Sequence, residues 1–250
     1  MGLVGSVALA GCGSDVEGEA SPGTSSSSAS TSAASSSAAS SSAAAESTGA
    51  LDGAEDLSAG LLPADAFGSG AQVTPITADQ IEQQAQFGGL GAQPDLTITP
   101  EACAPAVKGI QPGLDDVAGL AAQTATVGST TTVEILAAGE GIAEGVEELA
   151  STAETCPQAT ITGPSIGTAE VVFAALEVPD LGDAAAGVSM TLTVAGPGGQ
   201  PVTVPLLLGM ARDGDRLISL TQTDAAGGTD PAAFAALLQT AFEQQDDALD

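Results

Sequence analysis

Ile142, Val146, Leu149 and Ala153 recur at helical spacing, while Glu140, Glu144, Glu147, Glu148 and Glu154 occupy the rest of the wheel. This predicts the clearest amphipathic helix of the chain. It stops at Cys156-Pro157, because proline disfavours helix at the residue before it. Upstream, Thr77 to Phe87 reads as a short helix with Thr77 as N-cap, Ile81 and Ala85 as a shallow stripe, and Gly88-Gly89 as its stop. Asp95 to Thr99 alternates and is extended, and Pro100 then opens a helical turn carrying Cys103. Leu114 to Gln123 is read as a further helix. Thr124 to Ala138, rich in Thr, Val and Ile, predicts a strand or hairpin turning near Gly128.

After Pro157 the period changes to that of strands. Thr168 to Val178 is one, and Gly187 to Ala195 and Gln200 to Ala211 are two more, joined by Gly196-Pro197-Gly198-Gly199. Asp213-Gly214 signals a hairpin into Leu217 to Thr223. Pro201 and Pro205 each remove a backbone donor, which predicts an edge strand or a bulge there. Thr229-Asp230-Pro231 caps a last helix with Phe234, Leu237, Leu238, Ala241 and Phe242 on its apolar face. The sum is an α+β domain: an antiparallel meander with helices packed on it.

From Thr24 to Ala45 every residue is Ser, Thr or Ala. With no large apolar side chain to bury, such a segment does not offset the entropy of ordering itself and is expected to be disordered. The reading is therefore a partial lipoprotein signal peptide at 1–11, a lipidation site and tether at 12–56, and a single α+β domain at 57–250. A flexible leash of about 45 residues spans roughly 35–40 Å root-mean-square. Its dense Ser and Thr also invite O-glycosylation, although a plain spacer explains them equally well.

Three cysteines decide the compartment. Cys12 closes Leu9-Ala10-Gly11-Cys12 behind the apolar run Leu3 to Ala8, the pattern of a lipobox whose cysteine becomes the lipidated first residue. Cys103 and Cys156 lie in the foldable part, and an even pair in an exported chain reads as one disulfide. Two reduced thiols fit only a cytosolic protein. Met1 to Gly11 lacks Lys and Arg and is short for a signal, so the natural start is expected upstream. Met1-Gly2-Leu3-Val4-Gly5-Ser6 also matches the myristoylation pattern, a weaker reading with a lipobox following it.

Charge excludes some partners. Thirty-two acidic residues face three basic ones, for a formal net charge of -29. Such a surface repels nucleic acid and anionic head groups, so membrane contact has to come from the anchor at Cys12. The chain has no His, so a Ser nucleophile lacks its usual base. A metal site at the cysteines lacks the remaining ligands. No cofactor motif is present: Gly196-Pro197-Gly198-Gly199 has no following Lys and helix, and Asp213-Gly214-Asp215 is a turn without the EF-hand pattern. Abundant Asp and Glu leave a glycosidase-like carboxylate pair as a poor third reading. Arg212 and Arg216 flank the hairpin turn, where pairing with Asp213 and Asp215 is expected before any anion contact. Lys108 suits the end of the Cys103 helical turn.

Thr99-Pro100-Glu101-Ala102-Cys103-Ala104-Pro105, the helix ending Ala153-Glu154-Thr155-Cys156-Pro157, the meander and the closing helix together resemble an actinobacterial group. These are secreted lipoproteins whose globular part is similar to the extracellular sensor domain of mycobacterial receptor Ser/Thr kinases. The resemblance implies a sheet-and-helix domain with a ligand-binding cleft. Those kinase domains carry two disulfides, whereas this chain has cysteines for one. The expected function is an extracytoplasmic, lipid-anchored protein that binds or senses a small apolar or cell-wall-derived molecule. The alternative is an envelope protein-docking module, favoured by an exposed apolar patch or an open sheet edge near Pro201 to Leu208.

Overall fold

The computed structural model describes residues 57–77, 80, 95–108, 117–139, 142–164 and 166–249. Nine strands form one antiparallel sheet: β1 (Gln72–Ile76), β2 (Thr97–Thr99), β3 (Gly119–Val127), β4 (Thr130–Ala138), β5 (Gln158–Gly163), β6 (Gly167–Ala175), β7 (Ala184–Ala195), β8 (Pro201–Asp213) and β9 (Arg216–Asp224). Their order is β1-β3-β4-β9-β8-β7-β6-β5-β2. The stretch from β5 to β9 is the expected meander, and the β3–β4 hairpin adds to its β9 edge. Helices α1 (Ala104–Lys108), α2 (Ala143–Thr155) and α3 (Pro231–Leu249) complete an α+β fold.

The helices lie on opposite faces, and strand alternation shows why. Leu208 and Met210 of β8 pack in one core cluster with Val146 and Leu149 of α2. Leu207 and Ala211 turn to the other face, into a cluster with Phe234, Leu238 and Ala241 of α3. A strand covered on both faces therefore reads as the continuous run Leu206-Leu207-Leu208-Gly209-Met210-Ala211 rather than as an alternation. Gly209 sits under α3, where an added Cβ would lie 2.9 Å from side-chain atoms of Leu238 and Phe234. Its missing side chain is what lets the helix come this close.

Both long helices end as their sequences require. The Asp230 carboxylate accepts from the N–H groups of Ala232 and Ala233 at 3.0 and 3.2 Å, with Pro231 as the first helical residue. The α2 helix stops at Cys156, whose φ of -140° is extended, directly before Pro157. Thr77 and Gln80 form a reciprocal cap: Thr77 Oγ1 accepts from Gln80 N–H, and Gln80 Oε1 accepts from Thr77 N–H at 2.8 Å. The rest of the helix expected over Thr77 to Phe87 lies outside the described residues, as do residues 1–56 with Cys12.

Three expectations need correction. The helix read over Leu114 to Gln123 is strand from Gly119 onward, because Leu120 and its neighbours ladder with β4 across the turn at Gly128-Ser129. Pairing with a partner strand outweighs the local helical propensity of Leu-Ala-Ala-Gln, all good helix formers. β8 is an interior strand and not an edge. Its prolines are nevertheless tolerated for the expected reason: β9 pairs only from Leu206 on, so Pro201 to Pro205 has β7 on one side and no ladder on the other. Arg212 pairs with Asp183 at 3.5 Å and not with Asp213 or Asp215, while Arg216 reaches Asp213 at 3.9 Å. Strands β1 and β5 were not foreseen.

Candidate functional site

Cys103 and Cys156 are joined by a disulfide with a Cα–Cα distance of 5.2 Å, and both are fully buried. The bond fastens the turn that opens α1 to the end of α2. These two helices wall a cleft whose floor is the sheet. Pro105 and Ala106 contribute from α1, Leu149 and Thr152 from α2, and Phe173, Met190, Leu208 and Met210 from the strands. The enclosed cavity is about 20 Å³, room for about one water.

Beyond the cleft the same face continues, and among the described residues no helix lies over it. The α2 helix packs over β6, β7 and β8. Val133 and Ile135 of β4 point to the α2 side, as Ala137 does, yet they join neither core cluster and are half-buried. The register sets Val133 beside Thr221 and Thr124, and Leu208 beyond Thr221. Leu206 is half-buried, and Val204 and Val202 are exposed to 37% and 43%. Across β7 they pair with Leu192 and Val194, themselves half-buried. The result is a run of branched aliphatic side chains and threonine hydroxyls. By strand parity no ionisable side chain stands on this face of β3, β4, β9 or the Val202–Met210 part of β8.

The free side of β8 at Pro201 to Pro205 is blunted. The turn Gly214-Asp215 closes on the pair Asp213 and Arg216. In a two-residue hairpin the closing pair is hydrogen-bonded, so the odd-numbered residues of β8 bond toward β9. Pro201 and Pro205 therefore fall where a donor would otherwise face an incoming strand, and only Thr203 offers an N–H there. The free side of β8 therefore offers little backbone for an added strand to pair with.

The arrangement holds no nucleophile–base pair. Both arginines have carboxylate partners, and Arg212 also donates to the Gly214 carbonyl at 3.2 Å, so they serve the hairpin. Lys108 ends α1. The Val202 and Val204 part of this surface falls where the sequence offered an exposed apolar patch near Pro201 to Leu208 as one alternative; the β4 part at Val133 and Ile135 was missed, its visible signal being the Thr-Val alternation. Among the described residues no helix is long and apolar enough to cross a membrane.

An antiparallel sheet with helices on opposite faces and a disulfide at the cleft makes this an α+β fold. No family model matches the chain, and no curated protein matches it. Two solved structures are similar. A putative uncharacterized protein from Mycobacterium smegmatis, the Rv0999 ortholog, aligns with a TM-score of 0.50 and 15% identity over 75% of this chain and 96% of that one. The extracellular domain of PknH from Mycobacterium tuberculosis aligns at 0.46 and 14% identity, over 76% and 94%. The likeness is one of fold.

Proposed function

We propose that this chain is a lipid-anchored extracytoplasmic binding module, with residues 1–11 as the remnant of a signal peptide, Cys12 as the lipidated residue, 12–56 as the tether and 57–250 as the domain. The open half of the α2 face is its recognition surface. The observation that carries the reading is the uncharged apolar and hydroxyl-lined surface from Val133 and Ile135 to Val202 and Val204. Ordinary small-molecule sites enclose about 300–1,000 Å³, far more than the cleft does. An extended, open face of this kind suits another envelope protein. A second reading, an apolar small molecule lying along the cleft, draws on the aliphatic and sulfur lining of Leu149, Met190, Leu208 and Met210. Nothing in either reading calls for catalysis.

Site-specific photo-crosslinking in the envelope tests both. The probe is placed at Val204 and, as a control, at Val172, which is 44% exposed on the opposite sheet face. A discrete protein adduct at Val204 alone supports the docking module. A small added mass at Val204 alone supports the small-molecule reading. Equal or absent adducts at the two positions refute the surface. The anchor is tested separately: Cys12→Ala, expressed behind a complete secretion signal, should leave the membrane fraction for the medium.

A further inference from the structure

The α3 face, opposite the recognition surface, contains a carboxylate that the proposed function does not use. Glu134 is fully buried at the middle of β4. Leu62 N–H donates to both of its oxygens at 3.2 Å, and Gln123 Nε2 donates to Oε2 at 2.6 Å. The same Gln123 nitrogen donates to the Leu62 carbonyl at 2.7 Å. Two side chains of adjacent strands thus satisfy both the N–H and the C=O of one residue, 61 and 72 positions away in sequence. That residue lies in the first described segment, two 3-10 turns at Leu57–Gly60 and Ala64–Phe67, where Leu57 and Leu62 insert between α3 and the sheet.

No cation answers this carboxylate. On β3 the neighbours on its face are Ala121, Gln123 and Ala125, and on β9 they are Ile218, Leu220 and Gln222. Arg216 and Asp224 stand at the two ends of β9, engaged with Asp213 and with Thr130 and Ala226. The segment above it brings only Asp65, which is exposed. The α3 helix presents buried Gln245 to the core, with Glu243, Asp246 and Asp247 exposed. Both donors to Glu134 are neutral, so an ionised carboxylate here gives up its hydration for two ordinary amides.

We propose that Glu134 is a proton-operated latch between the N-terminal segment and the sheet: the neutral carboxyl holds residues 57–67 down, and its ionisation favours their release. Release returns the carboxylate to water, and this regained hydration outweighs the loss of its two neutral amide donors, so the charged form gains most from undocking. Burial pushes the Glu134 carboxyl up from 4.5 to about 6, against the opposing effect of the Gln123 and Leu62 hydrogen bonds. The sign follows from the raised value: the docked state is fully favoured below about 4.5, and the advantage is lost as pH rises through 6. A shift of this size changes the docking equilibrium roughly 30-fold in all, from well below pH 4.5 to well above pH 6.

Hydrogen exchange of the Leu62 amide in the full chain tests the latch, because that N–H is itself one of its bonds. After correction for the intrinsic exchange rate, the open fraction at Leu62 should be about 15-fold larger at pH 7.5 than at pH 4.5. It should also exceed the open fraction at the core amide of Leu208. Glu134→Gln should abolish the pH dependence at Leu62. Protection at Leu62 equal to that at Leu208 at every pH, or a pH trend that survives Glu134→Gln, would overturn the proposal. Should the variant not fold, a carbon NMR titration of Glu134 in the native chain decides: a midpoint near 6 supports the latch, and one near 4.5 refutes it.

Discussion

Cutting the Cys103–Cys156 bond tests how much of this fold depends on restricting the unfolded chain. The bond closes a sequence separation of 53. The chain-entropy model assigns a loop of this size about 4 kcal/mol of stabilisation. That is a large part of the about 5–15 kcal/mol by which domains are stable, in a chain with only five Phe and no Trp or Tyr. Reduction is the cleanest perturbation, since it leaves both sulfur atoms in the core and opens no cavity. Urea unfolding followed by far-UV circular dichroism, with and without reductant, should show the free energy fall by about 4 kcal/mol. With a slope of about 2–2.5 kcal/mol per molar, the midpoint should move by roughly 1.5–2 M. The thermal midpoint should fall by about 8–16 °C for a domain of this size. Cys103→Ala/Cys156→Ala should lose at least as much, because it also removes buried volume. Since the bond fastens α1 to the end of α2, exchange should quicken first at Ala104 to Lys108. A loss below about 1 kcal/mol would refute the reasoning and place the stability of the cleft walls in their packing.

Gly209→Ala should destabilise by about 1–3 kcal/mol in the same unfolding assay, since the new methyl meets Leu238 and Phe234 at 2.9 Å under α3. Asp230→Ala removes the acceptor for Ala232 and Ala233 N–H and should cost about 1 kcal/mol, read as a lower thermal midpoint with an unchanged sheet signal. Pro201→Val together with Pro205→Val restores two donors on the free side of β8. Sedimentation velocity should then show more concentration-dependent self-association than the unsubstituted chain; no increase at any concentration would mean that this side is closed by something other than proline.

Local patterns carried much of this fold. The period of Ile142, Val146 and Leu149, the stop at Pro157, the Asp230-Pro231 start and the Asp213-Gly214 turn are decided by neighbours within a few residues, and each occurs where its residues require it. So does the Cys103–Cys156 pair, whose two members are the cysteines of the foldable part of the chain. Choices that depend on distant partners were not legible. Leu120 to Gln123 suits a helix as well as a strand until β4 lies beside it, and β5 is too short to declare itself before β6 and β2 flank it. Pro201 and Pro205 signalled a missing neighbour correctly, but only the staggered register of β9 showed that an interior strand can have a free half. The recognition surface and the Glu134 latch belong wholly to the tertiary level. Whether Val133 and Ile135 are core or surface depends on where α2 ends its cover, and whether Glu134 is a solvated acid or a buried one depends on Leu62, 72 residues away. Sequence sets what each side chain can do; burial, which only the assembled sheet and its two helical layers create, sets which of those capacities is in use.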